Sequence, residues 1–127
     1  MTRQPTRRRD DRGSLTVFFM CICLALYVCI GLSVDDGREL AAHARTAFAS
    51  SAAASAALAA PVPADALQYA SISAASNGVT LLSLFPGPNG GYCTTTSITE
   101  KTWILGIVGI DHFTANTTAC SMSAPKP

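Results

Sequence analysis

Between positions 14 and 34 this sequence has no charged residue, and elsewhere it has little of what builds a reactive centre. His43 and His112 are its two histidines. Cys93, His112 and Cys120 could supply at most three metal ligands, at intervals unlike those of a zinc site. Serines abound, but none sits in a sequence resembling a nucleophile elbow, and Asp111-His112 reads as turn chemistry before a strand. The glycine-rich stretch 87–91 contains proline and lacks the Lys-Ser/Thr of a phosphate loop, so it reads as a hairpin turn. Asn116-Thr117-Thr118 matches a glycosylation acceptor, a pattern too short to carry weight. The basic N-terminal arm is short and lacks aromatics, which argues against a nucleic-acid module. These absences predict a protein that is not an enzyme, with no cofactor, no metal and no small-molecule substrate.

What is there is an uneven distribution of charge. Residues 1–13 carry five arginines against two aspartates, whereas residues 35–127 carry four cations against six carboxylates. The uncharged run between them, SLTVFFMCICLALYVCIGLSV, has 21 residues. At about 1.5 Å per residue it covers roughly 31 Å, against about 30 Å for the hydrocarbon core of a bilayer. Arg12 before it and Asp35-Asp36 after it set its borders, since a charge at mid-membrane costs about 2.5–3.5 kcal/mol. The sequence therefore predicts a transmembrane helix over 14–34 in contact with the lipid bilayer. The arginines place the N-terminus in the cytoplasm and residues 35–127 outside, a single-pass protein of the cell membrane. A cleaved secretory signal is the rival reading. Signal runs are shorter, about 7–15 residues, but Ala47-Phe48-Ala49 and the Ala/Ser tract after it offer small-residue cleavage sites.

Five cysteines divide along the same border. Cys21, Cys23 and Cys29 fall inside the run, where a thiol behaves as a small apolar group. Cys93 and Cys120 fall in the exported part and are expected to pair in an oxidising compartment, stabilising it by about 3–4 kcal/mol through loop closure. With the opposite topology they would be free thiols.

Past the run, residues 35–60 are alanine-rich with no proline before Pro61, so the membrane helix is expected to continue outward as one rod from 14 to about 60. Gly37 is its weak point, since glycine inside a helix costs about 1 kcal/mol relative to alanine. Leu40, Ala44 and Phe48 form an apolar stripe at i+4 spacing, Glu39 and His43 lie on a neighbouring face, and Asp35 can reach Arg38. Beyond Phe48 the faces are almost wholly Ala and Ser, and two readings stand: a surface for close approach by another helix, or a spacer that packs on nothing. Pro61-Val62-Pro63 ends the rod. Residues 64–76 form a short helix closed by Asn77-Gly78, and strands are expected at 79–85, 92–99 and 113–122. Residues 103–110, WILGIVGI, form an apolar run too short to span a membrane. Residues 1–13 are expected to be disordered and 124–127 frayed.

The fold class is thus α+β, in four parts. A basic arm (1–13) leads to a transmembrane helix (14–34), an Ala-rich helical stalk (35–60) and a small helix-plus-antiparallel-strand module (61–127). A module of about 65 residues is marginal alone, so packing on the rod or on a partner is expected to supply part of its stability.

Two stretches carry a family resemblance. Arg12-Gly13-Ser14-Leu15-Thr16-Val17 ahead of the apolar run, then Gly31 and Asp35-Asp36-Gly37-Arg38-Glu39-Leu40 after it, resembles the N-terminus of bacterial TadE/TadG-like proteins. These are pilin-like accessory proteins of the tight-adherence (Flp-type) pilus system. Residues 106–114, GIVGIDHFT, are similar to a closing segment of such proteins. Membership would imply a pilin-like membrane protein of a pilus-assembly or secretion apparatus. It would be non-catalytic and would contact other pilus-assembly or pilin-like membrane proteins through residues 14–60. Asp35, Asp36, Gly37 and Arg38 would be family-motif residues. Prepilins are cut after a glycine ahead of the apolar run, which makes Gly13 and Ser14 the candidate processing site. They usually carry glutamate at the fifth mature position, where Phe18 stands here, and this departure implies an accessory role rather than a major subunit. The alternative is a small secreted disulfide-bonded binding module released by signal cleavage.

Overall fold

The computed structural model describes residues 12–122. Two sequence expectations, disorder of the arm over 1–11 and fraying of 124–127, lie outside the described residues. Arg12 and Gly13 do not belong to a disordered arm, because helix α1 (Arg12–Leu58) begins with them.

Alanine supplies 10 of the 24 residues of α1 from Asp35 onward, and nothing in its 47 residues removes a backbone donor. Gly37 does not interrupt it. Serine hydroxyls in its C-terminal half bond back to the helix, Ser51 donating to Phe48 O and Ser55 to Ser51 O at 2.8 and 2.9 Å, which satisfies the hydroxyls without adding to the helix's stability. The helix stops at Leu58, two residues short of the expected end, in turns that lead to Pro61 and Pro63. A 3-10 turn (Pro63–Asp65) then opens α2 (Ala66–Ser76). Gly78, at φ +71°, takes the left-handed conformation that closes α2 and reverses the chain.

Three strands follow: β1 (Thr80–Pro86), β2 (Tyr92–Lys101) and β3 (His112–Cys120). They form an antiparallel sheet in the order β1-β2-β3. The β1–β2 hairpin turns through the expected Pro/Gly stretch, with Gly87 N–H donating to Gly91 O at 2.8 Å. The fold is α+β: a long helix, a short helix and a sheet. One helix near the N-terminus is long and apolar enough to cross a membrane. Its N-terminal half is bare, with Leu15, Phe18, Phe19, Met20, Leu24 and Tyr27 all exposed.

The core lies along the C-terminal half of α1 and is built mainly of alanine. Ala42, Ala49, Ala53 and Ala57 of α1 meet Ala66, Ala70 and Ala74 of α2, with Val79, Ile98 and Ala115 from the sheet side. The Leu40–Phe48 stripe is not the buried face: Leu40 is 75% and Phe48 67% exposed. The Ala/Ser faces are neither a bare spacer nor wholly free for a partner helix, because α2 and the sheet of the same chain cover the Ala49/Ala53/Ala57 side. Of the large apolar residues available, Leu82, Phe85, Trp103, Ile107, Val108 and Ile110 stay exposed.

Candidate functional site

The seam between α1 and the sheet is a ladder of hydroxyls set by two matching repeats. Four residues of helix rise about 6 Å and two residues of strand about 6.6 Å, so every fourth residue of α1 meets every second residue of a strand. At Thr46 the Thr96 hydroxyl donates to Thr46 O (3.0 Å), and the Thr46 and Thr117 hydroxyls pair at 2.8 Å. One turn on, Thr94 Oγ1 donates to Ser50 O and Ser50 Oγ to Thr94 O, both at 2.7 Å, while Ala119 N–H donates to Ser50 Oγ at 3.0 Å. A further turn on, Ser121 Oγ donates to Ala54 O at 3.0 Å. Thr46, Ser50, Thr94 and Thr96 are fully buried, and every buried side-chain nitrogen or oxygen among the described residues has a partner. Small side chains permit the approach, and hydroxyls satisfy the groups that it buries.

Followed the other way, toward the apolar half of α1, the same register leads to Arg38. Its Nη2 lies 3.8 Å from Glu100 Oε2. Beside the pair is an open cleft of about 220 Å³ lined by Arg38, Ala41, Ala42, Arg45 and Glu100. Its lining offers guanidinium, carboxylate and methyl groups. Next comes Asp35, 3% exposed, whose carboxylate is the end stop of the ladder. Oδ1 accepts the Trp103 N–H at 2.9 Å, and Oδ2 accepts those of Ile104 (2.9 Å) and Leu105 (3.1 Å). These donors open the 3-10 turn Leu105–Val108, so one carboxylate caps its start. The Trp103 N–H is the largest cause holding the Asp35 carboxyl below its ordinary 3.8; burial opposes it, and Leu105 N–H, Ile104 N–H and the Arg38 charge add to the lowering. One helical turn below, the Ile104 side chain lies against Gly31, at a spot where a Cβ would collide with it.

The structure therefore separates the four motif residues. Asp35 clamps the β2–β3 connection and does not pair with Arg38 in an ion bridge; Arg38 pairs with Glu100 instead. Asp36 is exposed, and Gly37 has open space around it. The His43–Glu39 pair stands 3.9 Å apart on the exposed side of α1. Gly13 and Ser14 lie in the first turn of α1, exposed. Cys93 and Cys120 form the expected disulfide, directly opposite each other in the β2–β3 register. Ser121 N–H donates to Tyr92 O at 2.8 Å beside them, so the cysteines occupy a non-hydrogen-bonded position, where facing residues come closest. Among the described residues no group of three or more His, Cys, Asp or Glu is placed to hold a metal. The sequence reading missed the hydroxyl ladder and the Gly31–Ile104 contact. Thr46 and Ser50 at i+4, facing alternate threonines at 94 and 96, were the signal available.

Compared with family models, with curated proteins and with solved structures, the chain matches none of them.

Proposed function

We propose that this chain is a pilin-like accessory membrane protein of a bacterial pilus-assembly or secretion apparatus, acting through protein contacts rather than catalysis. The arm before residue 14 is cytoplasmic, residues 14–34 cross the cell membrane, and the sheet-bearing head stands outside. The observation that carries this reading is the division of labour along α1. A bare apolar half continues without a break into a half that is the spine of a small head. The resemblance of residues 12–17 and 35–40 to TadE/TadG-like proteins supplies the system in which such an anchor works. The Cys93–Cys120 bond supports an oxidising compartment for the head.

The rival, a secreted module freed by signal cleavage, fits the packing less well. Cleavage within 47–60 would cut α1 inside the segment that carries Ala49, Ser50, Ala53 and Ala57 and would remove Ala42 and Thr46. The released module would lose part of its own core.

Membrane fractionation under alkaline wash, with N-terminal sequencing of the retained chain, tests the reading. A membrane-held chain beginning at or before Ser14, with Cys93 and Cys120 resistant to alkylation until reduced, is the expected result. A soluble product lacking 14–34 would overturn it. Photo-crosslinkers at the exposed Leu40 and Phe48 should then capture other pilin-like membrane proteins of the apparatus.

A further inference from the structure

The two ends of the sheet differ in chemistry. At the end level with Ala54, the β1–β2 turn is Pro-Gly-Pro-Asn-Gly-Gly. At the other end, the β2–β3 connection over 102–111 presents Trp103 (70% exposed), Ile107 (78%), Val108 (78%) and Ile110 (52%) within eight residues. In a water-facing turn that is costly, and nothing else among the described residues covers these side chains.

Their position is fixed by contacts already described. Asp35 holds the backbone of 103–105, and Ile104 packs on Gly31, one turn further into the uncharged stretch of α1. The connection thus lies level with the outer border of that stretch, where charge gives way to apolar side chains. The other turn on this side of the sheet, at Gly78, lies by Arg45, about 15 Å further along α1 at 1.5 Å per residue. The backbone of the connection is also closed on itself. Thr102 N–H donates to Asp111 O, Ile107 N–H to Ile104 O, Gly109 N–H to Gly106 O and Ile110 N–H to Leu105 O, at 3.0 to 3.2 Å. With these four donors bonded within the connection and the N–H groups of 103–105 held by Asp35, its backbone enters an apolar layer at reduced cost, and tryptophan at its border belongs to the headgroup level.

We propose that the 102–111 connection is a second membrane contact, with Trp103, Ile107 and Val108 seated in the interfacial layer of the same bilayer that α1 crosses. The Asp35 clamp aims it there, and the head is thereby held at a fixed angle to the membrane instead of swinging on a single helix. The inference rests on residues 14–34 spanning the membrane.

Trp103 is the only tryptophan, so its fluorescence reports on this connection alone. The test places the full chain in phosphatidylcholine vesicles whose acyl chains are brominated near the headgroup or near the terminal methyl. Trp103 should emit to the blue of free tryptophan, be quenched several-fold more by the shallow bromines than by the deep ones, and resist acrylamide in the water. Asp35→Asn should cut the bromine quenching and raise the acrylamide quenching. Ile107→Ser with Val108→Ser should do the same while the Cys93–Cys120 bond still forms. A chain that floats with the vesicles while Trp103 is quenched by acrylamide and not by bromine overturns this inference and leaves the membrane span standing. Protection from both quenchers means a protein cover and overturns it equally. A chain that fails to float with the vesicles overturns the span and the inference together.

Discussion

Asp35 is the residue on which the two halves of the molecule hinge. It stands at the C-terminal border of the apolar stretch, and its two oxygens serve three backbone N–H groups some seventy positions away. Asp35→Asn keeps the shape but halves the acceptors, so whichever way the amide turns at least one of the three donors loses its partner. Hydrogen exchange should accelerate at the amides of 103–105 while those of 94–98 stay as protected as in the parent. Acid should mimic the substitution. Because the folded carboxyl titrates below its ordinary 3.8, the clamp contributes fully above that value and is lost only as pH falls through the lowered one. Fast exchange at 103–105 already at neutral pH would contradict this assignment. The sequence marked Asp35 as a border charge and a motif residue. It could not mark the partner, because nothing local to position 35 encodes a turn that arrives from the far end of a hairpin.

At the scale of the element, α1 shows that side-chain size does not select its buried face. Leu40, Ala44 and Phe48 make the more hydrophobic stripe, yet α2 and the sheet lie along Ala42, Thr46, Ala49, Ser50 and Ala53. A helix that must come close enough for Thr94 and Thr96 to reach its carbonyls can present only small residues there. Ala53, fully buried, is therefore the position to enlarge: Ala53→Leu should cost about 1–3 kcal/mol through overpacking. Phe48→Ser, on the exposed side, should change stability by no more than about 0.5 kcal/mol. Chemical denaturation of the detergent-solubilised chain, followed by protease resistance of the head, measures both. Equal losses at the two positions would mean that the buried face is wrongly assigned. Ala52 and Ala56 are half-buried, so substitutions there would report on the chain's own packing as well as on any partner.

For the whole molecule, the β2–β3 hairpin is the part held at both ends. The disulfide joins Cys93 to Cys120 where the strands begin and finish, and Asp35 holds the connection between them. Either strand could slide along α1 only by breaking the Thr46 and Ser50 rungs together. Cys93→Ser should lower the stability of the head by about 2–4 kcal/mol, visible as a lower denaturation midpoint and faster proteolysis. An unchanged midpoint would show that the ladder alone sets the register.

Local and compositional features of the sequence were enough to determine several things about this protein. The charge-free run, with arginines before it and aspartates after it, located the membrane-length stretch; Pro61 and Pro63 ended the rod; Asn77-Gly78 and the Pro/Gly stretch placed the turns; the two cysteines outside that run predicted their own pairing. Each of these depends on neighbours a few positions apart. Tertiary structure decided which face of α1 is buried, what Asp35 holds, and where Trp103, Ile107 and Val108 point. Those depend on the register between a helix and a sheet, set by rises of about 6 Å per four helical residues and 6.6 Å per two strand residues. Such a match forms only when segments distant in the chain are brought side by side.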